Sequence, residues 1–431
     1  MYITAMTHRD ELFDLTLRWL NDDPAPGDGR VVTRIVLYES VIMAVVVNRV
    51  YLLLQKFFGG FLQMESLRQK HLLRECILQY LPHQNRRTRQ LVNRFRENPE
   101  YFFPRVPIDA LVISSGTHLA AISRIKRLSR VAEKAAFRLV DSLSGDIRAE
   151  AQRIAGQREA AAGLTSAKSI NLGKSEELTP RDLREAETVI ARRFRNRNVQ
   201  LDREALAIND LIGFKLIGGP DLAERIQTFL DGKTGITIAE IQEHNSNYKA
   251  INLLVDIELS SPDEMPELSK EFNWGIATSH GLDPAEICDG FAAYVSQGAK
   301  TVRIEFILTT YDELLESEFG RSMHELRILK LREHPAYHGP LARNAGYLME
   351  YLLALAAAPI TDVPELPVKM YGRYLPDSIV AAKCTLFGNN IESTLLNAYC
   401  LQSDCPKRFC PVSENPPFPS RSGGSEVEDD A

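Results

Sequence analysis

Four short runs of apolar and β-branched residues, all after residue 210 of the 431-residue chain, constrain the fold most strongly. Stretches with the three- and four-residue apolar spacing of helices lie between or after them. Strands mixed with helices indicate a domain built on a central sheet, of the α/β or α+β class. The predicted strands are Leu211–Ile217, Ile236–Ile241, Ile251–Leu259 and Val302–Thr309, and the predicted helices are Pro220–Leu230, Pro284–Val295 and Tyr311–Lys330.

The first 160 residues have a different pattern. Apolar residues recur at helical steps through Leu67–Leu81, Leu119–Leu128 and Val131–Leu143, which predicts helix after helix. We therefore predict an α+β protein with an all-helical module of unknown role over 1–160, a linker over 161–178 and the sheet domain over 179–330. A helix start with Thr179 as cap and Pro180 in the first turn opens that domain, and its helix extends to about Asn196.

The end of the chain carries weaker signals. Residues 331–412 predict a helical or irregular extension with an apolar helix at Leu341–Ala358, and the acidic Pro/Ser/Gly-rich end, 413–431, predicts disorder. Three cysteines, Cys400, Cys405 and Cys410, lie five residues apart, whereas zinc sites usually pair cysteines two to four residues apart. Thiols in a loose tail are the preferred interpretation, and a metal knuckle is the alternative.

Composition narrows the class of protein. The net charge of −6 excludes a uniformly basic surface, and six cysteines in this length do not make a disulfide scaffold, so we expect a cytoplasmic protein. The most apolar stretch, Ile35–Leu54, is long enough to span a bilayer but contains Glu39 and Arg49. We predict a buried helix there and no transmembrane segment, with a peripheral membrane contact as the alternative.

Two acidic residues on predicted strands are the first candidates for chemistry. In Val302–Thr309, alternate residues form an apolar face, so Glu305 projects from the opposite face. Asp210 precedes the strand Leu211–Ile217, which carries Lys215. Mg²⁺ prefers oxygen ligands and usually takes only one or two protein carboxylates besides phosphate and water, so the pair predicts a magnesium–nucleotide site.

Four motifs follow one another around these residues. They are D-L-I-G-F-K at Asp210–Lys215, N-Y-K-A-I-N at Asn247–Asn252, E-F-I-L-T-T at Glu305–Thr310 and S-E-F-G-R-S-M-H at Ser317–His324. In this order they resemble the synthetase domain of the RelA/SpoT family, over residues 179–330. The resemblance implies a mixed-sheet nucleotidyltransferase-like fold and the transfer of pyrophosphate from ATP to the 3′-hydroxyl of GDP or GTP, which is alarmone synthesis.

The resemblance also implies roles for individual residues. Asp210 and Glu305 would bind Mg²⁺, and Glu305 would act as general base on the acceptor hydroxyl. Tyr248 would stack on guanine, and Lys215 would neutralise phosphate charge. The residues assigned to substrate binding are Tyr248, Lys215, Lys249, Asn252, Glu318, Arg321 and His324.

The chain departs from the family pattern at several positions. Asn252 replaces a His, and Ile307 and Thr309 replace a Gln and an Arg. About forty extra residues lie between the second and third motifs, where the family has a short turn. The ATP-binding basic segment is not distinct: its candidates are Arg184, Arg192 and Arg193, which an exposed basic helix explains equally well.

These departures leave other functions open. One is a toxin-type variant that acts on adenine nucleotides or the tRNA 3′ end, to which the basic segments Arg86–Arg96 and Arg192–Arg197 would contribute. Another is a non-catalytic nucleotide-binding regulatory protein. The expected partners are ATP and a guanosine nucleotide, with tRNA, a homo-oligomeric copy or an antitoxin-like regulator as further candidates. Because no His-Asp dipeptide occurs, alarmone hydrolysis is not predicted.

Overall fold

A seven-stranded mixed sheet organises the part of the chain described by the structure, a computed structural model. The strand order is β2-β3-β4-β6-β9-β8-β7, in which β6 and β9 are parallel and the other neighbours antiparallel. A separate ribbon pairs β1 with β5. The strands are β1 Tyr2–Ile3, β2 Gln63–Gln69, β3 Pro107–Ser115, β4 His118–Ile125, β5 Ala207–Ile208, β6 Ile212–Ile217, β7 Ile236–Asn245, β8 Lys249–Glu258 and β9 Thr301–Thr309.

Helices precede, follow and connect these strands. They are α1 Arg9–Leu20, α2 Asp28–Phe58, α3 Lys70–Gln79, α4 Arg86–Glu97, α5 Leu128–Ala161, α6 Pro180–Arg195, α7 Leu222–Asp231, α8 Ile276–Ser279, α9 Pro284–Gln297, α10 Tyr311–Phe319, α11 His324–Glu333, α12 Pro340–Leu355 and α13 Pro376–Thr385, with a 3₁₀ turn at Pro99–Phe102. The structure describes residues 1–81, 85–161, 178–245, 249–259, 270–320, 323–333 and 339–388.

The sheet has a different core on each face. Face A, which carries Phe214 and Phe306, packs in a large core with residues of α1, α2, α5, α9 and α12. Face B, which carries Ile122 and Ile217, is covered at the β2-β3-β4 end by a smaller core with residues of α3, α4 and α10. Helices therefore cover one end of face B, while β8 and β9 carry polar side chains on that face.

The predicted strands and most predicted helices of the second half are confirmed. In β9, Val302, Ile304, Phe306 and Leu308 are all buried in the large core, so Glu305 does project from the opposite face. At the start of α6, Thr179 accepts a hydrogen bond from the Asp182 backbone and Asp182 accepts one in return, which is a capping box. The α+β class is confirmed.

The prediction of helices alone over 1–160 is wrong. Three strands, β2, β3 and β4, lie there between the helices. The segment Leu119–Leu128, predicted as helix, is mostly strand β4, because Leu119, Ala120, Ala121 and Ile122 are all buried between the two cores. A strand buried on both faces is apolar throughout and loses the two-residue alternation by which strands are recognised.

Strands from both predicted modules belong to one sheet. Strand β4 pairs with β6 from Ala121 opposite Leu216 to Ile125 opposite Ile212. Residues Met1–Phe387 form one compact unit, and the second unit, Gly388–Ala431, lies almost entirely outside the described residues, with the cysteines at 400, 405 and 410. Most of the predicted linker, 162–177, also lies outside them.

The apolar stretch Ile35–Leu54 forms the middle of α2. Among the described helices this one is long and apolar enough to cross a membrane, and 61% of its most apolar window is buried inside the protein. Its Glu39 is fully buried and accepts hydrogen bonds from the Thr7 hydroxyl at 2.6 Å and the Tyr294 hydroxyl at 2.9 Å. Helix α2 is thus a core helix of this fold, as predicted.

Candidate functional site

Gly213 lies between two charged side chains on face B. In the sheet register it is opposite Arg124 of β4 on one side and Glu305 of β9 on the other. A Cβ atom at Gly213 would lie 3.7 Å from Glu305 Oε2. Glycine therefore leaves a depression between a guanidinium group and a carboxylate, both of which point away from the large core.

Glu305 is hydrogen-bonded to a side chain of the neighbouring strand. Asn252 of β8 donates from Nδ2 to Glu305 Oε1 at 2.8 Å. Asn252 is 9% exposed, and its Oδ1 is buried with no hydrogen-bond donor among the described residues. A buried acceptor without a donor is costly, so a ligand hydroxyl or amine at this position would be stabilised.

A buried cluster of charges lies beside this depression. Glu318 of α10, 2% exposed, contacts Lys70 Nζ at 2.6 Å and Arg124 Nη2 at 2.7 Å. Glu325 of α11 contacts Lys70 at 3.1 Å and Arg74 at 3.4 Å. Burial alone would raise the pKa of Glu318, but the Lys70 ammonium and the Arg124 guanidinium hold it well below its usual value.

Lys215 belongs to the same cluster. Its Nζ donates to Ser317 Oγ at 3.0 Å, and burial lowers its pKa to about 8 although Glu318 opposes that shift. Four cationic side chains, Lys70, Arg74, Arg124 and Lys215, therefore share two carboxylates, Glu318 and Glu325. Among these six described residues the cations outnumber the carboxylates, which suits an anionic ligand such as a polyphosphate.

Asp210 lies on a different part of the sheet. It precedes β6, and its Oδ2 contacts Lys134 Nζ at 2.5 Å and Lys126 Nζ at 2.8 Å. Burial would raise the Asp210 pKa, but these two ammonium groups lower it to about 2. Because Gly213 is opposite Glu305, the register places Glu305 about 10 Å further along the strands than Asp210.

The two predicted metal ligands thus have separate partners in the structure. Among the described residues no group of three or more His, Cys, Asp or Glu side chains forms a metal site. Mg²⁺ requires fewer protein ligands than that when phosphate oxygens complete its shell. The Glu305 carboxylate beside the depression fits such a role, whereas Asp210 is already compensated by two cations; its metal role remains a prediction.

The remaining predicted site residues are distributed as follows. The predicted helix Tyr311–Lys330 is two helices, α10 and α11, because the first ends at Phe319. Glu318 is therefore on α10, where it is buried, and His324 is at the start of α11, where it is exposed. Lys249 begins β8, but its side chain is outside the description. Tyr248 and Arg321 lie outside the described residues.

The candidate ATP-binding arginines are on α6. This helix packs against α5 and does not lie on face B. Arg184, Arg192 and Arg193 are all exposed. Arg193 contacts Glu150 of α5 at 3.3 Å, and Arg184 donates to the Pro180 carbonyl at 3.1 Å. In the described part of the chain none of them contacts the residues around Gly213.

Four residues of the cluster were not identified from the sequence: Lys70, Arg74, Arg124 and Glu325. The three cations among them come from the segment predicted to be a separate module. The signal that could have found Arg124 is the hairpin between β3 and β4, whose turn contains Gly116 at φ 55°. Recognising that hairpin would have predicted strands, and with them a basic side chain at the end of β4.

Comparison of the chain with protein-family models, with curated proteins and with solved structures finds no match.

Proposed function

We propose that the chain is a Mg²⁺-dependent nucleotide pyrophosphokinase of the RelA/SpoT type, acting in the cytoplasm with a nucleotidyltransferase-like sheet domain. The observation that carries the proposal is the alignment of Arg124, Gly213 and Glu305 on face B, next to a cluster with excess positive charge. A carboxylate, a depression and convergent cations are the groups that phosphoryl transfer requires, because its catalysis depends on positioning and charge stabilisation.

The cationic groups would hold the donor. Arg124 is 31% exposed and can offer further N–H groups to a phosphate while it contacts Glu318. Lys215, with a pKa of about 8, is mostly protonated at neutral pH and adds a point charge. Both side chains point from face B, so the triphosphate of ATP would lie over β4 and β6.

The acceptor would lie over β8 and β9. A ribose presents two adjacent hydroxyl groups, and the site presents two adjacent acceptors, Glu305 and Asn252 Oδ1. One hydroxyl would donate to Glu305 and the other to Asn252. This arrangement gives a chemical reason for an amide at position 252, since Asn holds Glu305 with one atom and accepts from substrate with the other.

In the transfer itself, the hydroxyl oxygen of the acceptor attacks the β-phosphorus of ATP and its proton passes to Glu305. The bond between the β-phosphorus and the oxygen bridging to the α-phosphate breaks, and AMP leaves. A bound Mg²⁺, held by Glu305 and the phosphates, would neutralise charge on the transferred group. The acceptor is proposed to be GDP or GTP, with adenine nucleotides or the tRNA 3′ end as the alternative.

The test uses the full chain with Mg²⁺, ATP labelled in the β- and γ-phosphates, and GDP, GTP, AMP or tRNA in separate reactions. Transfer of label to an acceptor, with release of AMP, is the expected result. Glu305→Gln should abolish transfer, whereas Glu224→Gln, at an exposed position of α7, should not. No transfer to any acceptor by the folded protein would refute the enzyme.

A non-catalytic nucleotide-binding role is the second candidate. The ion pairs of Asp210 with Lys126 and Lys134 favour it, because a carboxylate already compensated by two cations is a poor ligand for a divalent ion. Saturable binding of ATP or GTP without turnover would support this role. Nucleotide binding would then control how the chain interacts with a regulatory or antitoxin-like partner, or with a second copy of itself.

A further inference from the structure

A cavity of about 250 Å³ lies between the last turns of α2 and the β7–β8 hairpin. Ile257, one of its lining residues, belongs to the large core of face A, so the cavity and Glu305 are on opposite faces of the sheet. It takes no part in the proposed reaction. Its lining residues are Arg49, Val50, Leu52, Leu53, Lys56, Lys233, Thr234, Ile236 and Ile257.

The inner part of the cavity is apolar. Ile236 is opposite Ile257 in the register of β7 and β8, so both side chains are on the same face. Val50 and Leu53 lie one turn apart on α2 and complete the wall. Val50 and Ile257 are 0% and 1% exposed. Leu52, 48% exposed, lies where the cavity meets solvent.

The rim is cationic. Arg49 and Lys56 are two turns apart on α2, on either side of Leu53, and Lys233 follows α7 with its Nζ 4.5 Å from the Phe229 ring centroid. Neither Lys56 nor Lys233 takes part in an ion pair among the described residues, and the contact of Lys233 is with the Phe229 ring. Both ammonium groups are therefore available to an anionic ligand group.

Arg49 differs from the two lysines. It donates to the Glu258 backbone carbonyl, and its Nη2 lies with Glu258 Oε2 around Gly235. Arg49 is thus held at the Glu258 backbone, and Lys56 and Lys233 supply the positive charge at the mouth of the cavity. An apolar interior with two such cations at its mouth has the polarity of a site for an amphiphilic anion.

We propose that this cavity binds a small amphiphilic carboxylate, with an apolar body of about six to eight carbons inside and the carboxylate between Lys56 and Lys233. The volume sets an upper limit on the size, because a water-sized group occupies about 30 Å³ and the cavity holds no more than about eight such groups. The proposal does not depend on the proposed transferase activity.

The test is calorimetric titration of the full chain with sodium octanoate. Acetate is the control that has the carboxylate without the long alkyl chain, and 1-octanol is the control that has the alkyl chain without the charge. We expect saturable binding of octanoate, with affinity at least about tenfold higher than that of either control compound. Lys56→Gln and Lys233→Gln should each weaken it about tenfold, whereas Lys330→Gln, at an exposed position of α11, should not.

A second arm distinguishes a free carboxylate from a lipid surface. Vesicles of anionic phospholipid should not compete with octanoate, because Val50 and Ile257 of the apolar wall are buried in the fold. The proposal would be overturned if octanol bound as tightly as octanoate or if both lysine variants kept the full affinity for octanoate. It would also be overturned if octanoate did not bind, or if the protein bound vesicles alone. Thermal unfolding monitored by circular dichroism checks that each variant is folded.

Discussion

The side-chain amide of Asn252 donates from Nδ2 to Glu305 Oε1 at 2.8 Å, while its Oδ1 has no donor in the described structure. The two residues are diagonal neighbours, since Leu254 is the residue opposite Glu305. The amide thus fixes the orientation of the carboxylate and still has an acceptor for a second group.

Replacing Asn252 by Asp should destabilise the fold at neutral pH. Two carboxylates in contact disfavour double ionisation and raise the pKa of the pair, so we expect a loss of about 1–2 kcal/mol at pH 8 that is relieved as the pH falls. Denaturant unfolding at pH 8 and pH 5 measures it. Asn273→Asp, at an exposed position, is the control. An equal loss at both pH values would contradict the repulsion.

Glu318→Gln should be strongly destabilising. The change leaves the buried Lys70 and the partly exposed Arg124 around a neutral group, and loss of one partner from a buried ion pair costs about 3 kcal/mol. Glu316→Gln is the matched control on the same helix, because its partner Arg87 is half exposed and the pair should contribute below about 1 kcal/mol. Urea unfolding compares the two, and similar losses would show that the cluster is not the source of the difference.

Lys215 should make nucleotide binding depend on pH. Its pKa of about 8 means that the cation is lost as the pH rises above that value, so ATP affinity should fall by about tenfold in total between pH 7 and pH 9.5. In Lys215→Arg the charge persists and the dependence should disappear. Calorimetry between pH 7 and pH 9.5 tests both proteins. The same pH profile in the two would assign the dependence to another group.

A side chain at Gly213 should obstruct the site in proportion to its size. A Cβ atom there makes an ordinary 3.7 Å contact with Glu305 Oε2, so Gly213→Ala should retain most activity. Gly213→Val suits a strand but fills the depression between Arg124 and Glu305, and we expect turnover to fall more than about tenfold with the fold intact. Circular dichroism measures the fold and the labelled-ATP assay measures turnover in both variants. A valine variant with unchanged turnover would show that the substrates do not bind beside Gly213.

Asp210→Asn separates a structural role from a metal role. The Asp210 pKa of about 2, against its usual 3.8, means that its ion pairs stabilise the fold above about pH 4 and lose that contribution as the pH falls towards 2. The variant should lose about 2 kcal/mol at pH 7. Asp221→Asn, which removes an exposed pair with Arg225, should lose little. Loss of Mg²⁺ response without loss of stability would instead support a metal role.

Local patterns in the sequence predicted the second half of the sheet well. The alternation in β9 placed Glu305 opposite the core, and Thr179 marked the start of α6 through its capping chemistry. Both signals lie within a few residues of the feature they predict. Tertiary relationships did not follow from them: Glu318 is held by Lys70 and Arg124, which are 248 and 194 residues away in the sequence.

The strands of the first half were missed for a related reason. Strand β4 contains Ala120 and Ala121, residues that also favour helices, and its apolar run reflects burial on both faces rather than a helical stripe. Without β4, the sequence offered no strand for the edge of β6 that faces away from β9. Arg124 consequently could not be assigned to the site.

The pairing of β4 with β6 limits how this protein can be divided. A fragment that starts at residue 179 would expose the backbone N–H and C=O groups along one side of β6, together with the apolar side chains that α3 and α5 now cover. Such an edge recruits strands from other molecules, so dissection at the sequence-predicted boundary would yield aggregates rather than a minimal catalytic unit.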